Sequence, residues 1–510
     1  MLVAAENGAL PKGKVGGVGD VIRDLPLALA DQGWLPTVVT PAYGMFGDLP
    51  GASELATIRV WFSGTEHKVS VLAVPGPDAR VVHIVFEHEL FSPQGKGNIY
   101  CDDGPDRPFA TDASKFAFFS AAVATYTATS ATRPDVVHLH DWHSGIYCVL
   151  RAYDPRYSAL KEIRTVFTIH NLAMQGIRPL KGDASSLDTW FPDLDYDLNE
   201  IVDPRYPDCV NPMRAAVRLA DKLNTVSQSY AEEILLPNDS VHGFEGGEGL
   251  ESDLQAVADQ GRLEGILNGC VYEKRDRRRP GWRRLLNTIE SEVLAWSRRG
   301  DSTAWIHELA LEKIRSLPKR RPTDVLTSIG RLTPQKVGLF LTETSPMKTS
   351  FEEILDSLGS KGVLILLGSG DARLQNQVAG ISRDRKNLIF LCGYSETFAE
   401  MLYRAGDLFL MPSTFEPCGI SQMLAMRAGQ PCVVHAVGGL KDTVRHNTNG
   451  FSFAGDSPAV QAKNFVNTTR EALLMKAENP GRWLQVRDRA QAARFTWATA
   501  AKQYIEKLYD

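Results

Sequence analysis

The chain has 510 residues, 43% of them hydrophobic and 23% charged, with a formal net charge of −5. That length exceeds one ordinary hydrophobic core and predicts two domains. The mildly acidic balance argues against a dedicated nucleic-acid binder or a polybasic membrane protein, and no apolar run approaches the roughly 18–20 residues that span a bilayer.

An apolar strand, LVAA, begins at residue 2 and leaves no room for a signal or transit peptide. The seven cysteines are scattered, odd in number and without a CxxC pair, which predicts a reducing cytoplasm.

The first series of strands is read at 2–5, 36–41, 80–86, 135–141, 165–171 and 221–227, and the second at 324–332, 362–370, 387–394, 407–413 and 431–437. These runs are rich in Val, Ile and Leu and nearly continuous rather than alternating. Strands buried on both faces by helices have this composition, so two parallel-sheet α/β domains are expected. Between the series, residues 270–322 read as a crossover with helical decoration. Its basic run, 275–284, is a solvated face or a binding patch. The segment 488–510 reads as one amphipathic helix.

Ligands of open parallel sheets sit at the C-terminal strand edges, which makes the polar strand ends informative. The first is GALPKGKV, residues 8–15. It fits the phosphate-gripping pattern G-x-x-x-x-G-K, but Val15 stands where a magnesium-binding Ser or Thr belongs. It is therefore a damaged nucleotide-hydrolysis loop or a loop that handles phosphate without metal. The glycines of KVGGVGDV let backbone N–H groups approach an anion, ahead of a helix expected to begin near Gly19–Asp20.

The second strand end, VVHLHDWHSG, crowds His138, His140 and His143. Their spacing approaches a hydrolytic metal site, but Asp141 follows His140 one position early. A hydrogen-bonded strand terminus is the competing reading, with Asp141 acting on a hydroxyl or orienting its neighbours. His170, in TIHN, is a satisfied core histidine or a site residue. In GRLTPQK, Arg331 and Lys336 form a clamp suited to a diphosphate or are ordinary surface charges. The longest signal is PSTFEPCGISQMLAMRAGQPCVVHAVGGLKDTV, residues 412–444. There Glu416 precedes a helix starting near Ile420, and Gly438–Gly439–Leu440 offers a further helix N-terminus for an anion. Cys418 lacks a cationic partner in sequence and reads as a backbone and packing residue.

Taken in order, KVGGVGDV, HDWHSG, FTIHNLAMQG, LNG (267–269), GRLTPQK and the 412–444 stretch resemble the bacterial glycogen synthase and plant starch synthase family, glycosyltransferase family 5. The resemblance spans nearly the whole chain. It implies the α/β GT-B fold, two Rossmann-like parallel-sheet domains facing across a deep cleft. The first domain would cover 1–267 on the acceptor side, joined by the helix 488–510, and the nucleotide-sugar domain 268–487. The implied reaction moves glucose from ADP-glucose, favoured over UDP-glucose, to the non-reducing end of an α-1,4-glucan. Configuration is retained, with no metal, no other cofactor, no nucleic acid and no membrane. Lys14, Gly16 and Gly17 would face the donor phosphates with Arg331 and Lys336. His170 and Asn171 would lie beside the transferred glucose and Glu416 would hold it. Cys418, Gly419, Ile420, Gly439 and Leu440 would line the donor, and Asp141 the reaction centre.

The chain also departs from the family pattern. LNGCVYEKRDRRRPGW lacks the acid that follows LNG in many members, and QKVG has one residue more than the usual QKG. Leu424 stands where the wider superfamily places a second carboxylate. Two rivals from other classes remain, a metal-dependent hydrolase built on the three histidines and a triphosphate-driven switch built on Gly8–Lys14.

Overall fold

Hydrophobic strands that can bury both faces dominate each half of the chain, and each half forms its own sheet. The computed structural model describes residues 1–272, 278–298 and 303–510. The chain divides into two compact units. Unit 1 comprises Met1–Asn238, Gly246–Val271 and Thr496–Asp510, and unit 2 comprises Asp239–Glu245 and Tyr272–Phe495.

Unit 1 is built on a nine-stranded sheet. Its strands are β1 (Leu2–Val3), β2 (Thr37–Pro41), β3 (Ser53–Phe62), β4 (Thr65–Val74), β5 (Val82–Glu87), β6 (Val136–His140), β7 (Arg164–Ile169), β8 (Lys222–Thr225) and β9 (Leu263–Gly265). They lie in the order β9-β8-β7-β6-β1-β2-β5-β4-β3. The central strands are parallel, with Leu2 in register with both Val38 and His138. Val3, Val39, Leu139 and Phe167 are fully buried, as a sheet covered on both faces requires.

The strands β3 and β4, absent from the sequence-based reading, form an antiparallel hairpin at the sheet edge. Their pattern alternates exposed and buried positions instead of running continuously apolar. Ser63 (φ 50°) and Gly64 (φ 73°) make the two-residue turn, whose left-handed pair of residues matches the right-handed strand twist.

In unit 2 the strands are β10 (Asp324–Ile329), β11 (Gly362–Leu367), β12 (Leu388–Leu391), β13 (Leu408–Met411), β14 (Cys432–His435) and β15 (Phe451–Phe453). All are parallel, in the order β12-β11-β10-β13-β14-β15. Alternate residues feed two cores. Val325, Ile365 and Phe409 join one cluster, whereas Leu326, Leu364 and Leu408 join the other.

The expected decoration between the two strand series proves to be core. The helix Trp282–Ser297 presents Trp282, Leu285, Ile289, Val293 and Trp296, at helical spacing, to the first of these clusters. Of the basic run, residues 275–277 lie outside the described residues. Arg279 and Arg321 both grip the buried Asp407 at 2.9 Å, tying this segment to the start of β13.

The expected helix 488–510 is broken. One helix ends at Ala492 and the next spans Trp497–Tyr504, capped by the Thr496 side chain, so the chain leaves unit 2 and re-enters unit 1 between them. In unit 1 Trp497, Tyr504 and Leu508 pack against Leu2, Val21, Leu25 and Ile266. At about 2 kcal/mol per buried large side chain, these last residues are a substantial part of that core. Among the described residues no helix is long and apolar enough to cross a membrane.

Candidate active site

The glycine loop of unit 1 folds around a carboxylate that sequence reading overlooked. Glu6, immediately after β1, is 2% exposed. Its Oε2 accepts the N–H groups of Val15 (2.7 Å), Gly16 (2.7 Å) and Gly19 (3.2 Å), and its Oε1 accepts the Tyr100 hydroxyl at 2.9 Å. A Cβ on Gly19 would lie 2.9 Å from Glu6 Oε2, so a glycine there makes room for the carboxylate.

The Gly16 N–H thus turns inward to Glu6. The helix α1 (Gly17–Asp31) also begins two residues earlier than expected. Gly17 therefore sits at the helix N-terminus, where its N–H and that of Val18 have no partner within the helix, and a Cβ on it would meet nothing within 4 Å. Beside it the Lys14 ammonium lies 2.7 Å from Asp20, with a side chain 38% exposed.

The histidines line the ends of β6 and β7. His138 and His140 point to the same face, with ring centroids 4.2 Å apart. His140 Nδ1 lies 2.9 Å from His170 Nε2, and His140 Nε2 is buried without a partner. Burial holds all three rings neutral, His170 down at about 3 and His138 and His140 well below their ordinary value. His138 has a hydrogen-bond partner at each ring nitrogen, Tyr509 and Thr168, which leaves it no lone pair for a metal. His143 instead stacks on Trp142 at 4.3 Å. The three histidines of the strand end thus do not converge on one point, and among the described residues no group of three or more His, Cys, Asp or Glu is arranged to hold a metal.

Asp141 is buried with φ 54°, an unusual backbone for a residue other than glycine. Its Oδ1 accepts the backbone N–H of His170 at 2.7 Å and of Asn171 at 3.4 Å. Of the two roles weighed from sequence, the geometry is that of an orienting group. Burial pushes its carboxyl up to about 7 against the opposing pull of those N–H groups. Asn171 is half-buried, and its side chain accepts the Ala173 N–H.

In unit 2 the clamp sits at the edge of β10. Thr333 precedes the helix Pro334–Leu341, whose first turn carries Lys336, and its carbonyl accepts the Lys336 N–H at 3.0 Å. The Lys336 ammonium pairs with the Glu416 carboxylate, and the two side chains are 20% and 9% exposed. Arg331 is exposed and has no carboxylate partner among the described residues. A small cavity of about 60 Å³ lies here, lined by Gly330, Arg331, Lys336, Met411, Ser413 and Ser421.

The turn 416–420 is held from behind. Gly419 adopts φ +75°, Ile420 precedes the helix Ser421–Arg427, and the Gln422 amide donates to the carbonyls of Cys418 and Gly419. Gly439 N–H donates to the Glu416 carbonyl at 3.1 Å, and Leu440 N–H to Val437 at 3.0 Å. The Gly439 N–H thus buttresses the turn. Cys418 is buried, with Sγ 3.5 Å from the Gly419 carbonyl.

The structure thus brings Lys336, Arg331 and Glu416 together in unit 2, and Asp141, His140, His170 and Asn171 together in unit 1. Lys14 and Gly17 stand at the adjacent strand end of unit 1. Glu6 could have been found by reading one residue past the apolar LVAA, at the C-terminal strand edge where polar groups gather.

The starch synthase catalytic domain model matches residues 1–256, and a glycosyl transferase group 1 model matches residues 323–470. Fold and site together define a glycosyltransferase of the GT-B class. A glycogen synthase from Anaeromyxobacter dehalogenans is 34% identical over 518 residues, covering 100% of this chain and 98% of its own. One from Streptococcus sanguinis is 32% identical over 527 residues, covering 100% and 99%. The catalytic domain of starch synthase IV from Arabidopsis thaliana, solved with ADP and acarbose, superposes with a TM-score of 0.75 at 27% identity and covers 100% of this chain and 98% of its own. The chain belongs to the glycogen synthase and starch synthase family, whose activity is glucosyl transfer onto a glucan.

Proposed function

We propose that the chain moves glucose from a nucleotide-glucose, ADP-glucose in preference to UDP-glucose, onto the non-reducing end of an α-1,4-glucan with retention and without a divalent metal. The observation that carries this reading is the Lys336–Glu416 pair beside the exposed Arg331, which has no carboxylate partner among the described residues. A cation and a carboxylate in contact at one strand edge serve the two ends of one bond. Lys336 and Arg331 meet the charge that builds on the departing diphosphate, while Glu416 accepts hydrogen bonds from the glucose hydroxyls. The preference for ADP rests on the ADP-bound starch synthase to which the chain is similar.

The bond from the anomeric carbon to the diphosphate oxygen breaks. The acceptor hydroxyl attacks from the same face, and its proton passes to the leaving phosphate oxygen. His170, held neutral by burial, offers the glucose a hydrogen bond without adding charge. Lys14 and the open N-terminus of α1 add positive potential for the donor phosphates. On this reading Val15 is no defect, because no magnesium needs a hydroxyl ligand. None of the seven cysteines is in a disulfide, which fits a cytoplasmic enzyme.

The test is incubation with glycogen and each labelled nucleotide-glucose in EDTA. Incorporation from ADP-glucose at several times the rate from UDP-glucose, in product that β-amylase releases as maltose, is the expected result. No incorporation from either donor, or incorporation only with added magnesium, would overturn it.

A further inference from the structure

The C-terminal tail is tied to His138, which packs against His140, by a directed chain of hydrogen bonds. Tyr509 Oη lies 2.8 Å from His138 Nδ1, and His138 Nε2 lies 2.6 Å from Thr168 Oγ1. Thr168 Oγ1 donates to Asn224 Oδ1 at 2.6 Å, and Asn224 Nδ2 donates to the Tyr504 hydroxyl at 3.1 Å. The circuit starts and ends on tail tyrosines, and all its members are buried.

Elementary valence fixes its direction. Asn224 Oδ1 has only lone pairs, so Thr168 gives it the hydroxyl proton and must accept from His138. His138 therefore carries its proton on Nε2. The ring is neutral, so Nδ1 is a lone pair, and the Tyr509 hydroxyl is the donor that meets it.

Thr168 and His138 both lead to His170. The Thr168 carbonyl accepts the Asp141 N–H at 3.0 Å, and Asp141 holds the His170 N–H at 2.7 Å. The His138 ring also packs against His140, whose Nδ1 meets His170 Nε2 at 2.9 Å.

We infer that Tyr509 is a positioning residue for glucosyl transfer, fixing the tautomer of His138 and through it the orientation of the His140–His170 pair. The inference rests on the role given to His170 above. Because residues 496–510 return to unit 1 directly from unit 2, it also makes the chain's last turn a requirement for an ordered site in unit 1. Were Tyr509 only an anchor for the tail, loss of its hydroxyl would lower stability and leave turnover unchanged.

Tyr509→Phe keeps the ring and its packing against Trp34, 5.1 Å away, and removes only the donor. Tyr157→Phe is the control. Its buried hydroxyl meets Thr125 at 2.9 Å and has no link to the histidines. The expected result is a roughly tenfold fall in kcat for Tyr509→Phe with donor KM within about twofold, while Tyr157→Phe loses comparable thermal stability and keeps its kcat. A Tyr509→Phe kcat within twofold of the wild type overturns the proposal.

Histidine-labelled NMR supplies a readout independent of activity. The wild type should show His138 as the Nε2–H tautomer, and Tyr509→Phe should shift the His140 and His170 imidazole resonances. An Nδ1–H tautomer, or unchanged resonances, refutes the relay. Should the wild type transfer no glucose, the proposed function falls and this measurement still decides the relay.

Discussion

Replacing Lys336 by alanine is expected to slow glucosyl transfer about 10³-fold while unit 2 stays folded. The size follows from what the ammonium meets. Charge develops on a diphosphate oxygen only as the sugar departs, so a fixed cation at that point stabilises the transition state more than the bound donor. The Lys336 side chain is 20% exposed and is held by Glu416, so it needs little reorganisation. Glu416→Ala is expected to be as damaging, because it removes the acceptor for the sugar hydroxyls and leaves the ammonium without its partner. Glu416→Gln retains the shape and loses the charge, and should fall between the wild type and Glu416→Ala. Steady-state kinetics with circular dichroism and denaturant midpoints checks all three. Near-normal kcat in folded Lys336→Ala protein would contradict its role.

The second large effect is on stability. Lowering the pH from 7 to 5 is expected to destabilise unit 1, because burial holds His83, His143 and the N-terminal amine low as well as His138, His140 and His170. His138, His140 and His170 have folded pKa values below their unfolded ones, so beneath about 6.5 the unfolded chain binds protons that the native state refuses. Stability from these groups is complete above that pH and is lost as the pH falls.

Asp141 acts in the opposite sense. Its folded pKa is raised to about 7, so the native state holds a proton that the unfolded chain has lost, and acidification from 7 to 5 returns about 2 kcal/mol. Three histidines outweigh one carboxyl. Asp141→Asn, whose side-chain oxygen still accepts the His170 N–H, should raise stability at pH 7 and make the acid loss steeper. Denaturant midpoints for both proteins at pH 5 and 7 measure this. Equal midpoints for the wild type at the two pH values would contradict it.

The parts legible in the sequence were those written in composition. Parallel strands such as GVLILL at 362–367 are apolar on both faces, and the polar groups at their ends mark the sheet edge. The hairpin β3–β4 was illegible to a search for continuous apolar runs, although its alternation and the Ser63–Gly64 turn are a period-two signal. Trp282 to Trp296 had the spacing of a core helix, but the basic residues around them masked it.

Hydrogen-bond direction was the least accessible. Gly16 and Gly439 occupy glycine turns of a kind that binds phosphate, yet each N–H turns to the protein's own Glu6 or Glu416. Glu6 lies nine to thirteen residues before the N–H groups it accepts, and only loop closure brings them together. The Tyr509–His138 contact spans 371 residues and has no local signature.

Lys14, Arg331 and Lys336 are the cations proposed to act on the donor diphosphate without a divalent ion. Calorimetric titration in EDTA with ADP, and with adenosine as the phosphate-free control, tests this proposal most directly. Lys14→Ala, Arg331→Ala and Lys336→Ala should each weaken ADP binding by about tenfold or more and leave adenosine binding unchanged. Wild-type affinity for ADP in folded Lys14→Ala protein, or ADP binding that appears only when magnesium is added, would contradict the account.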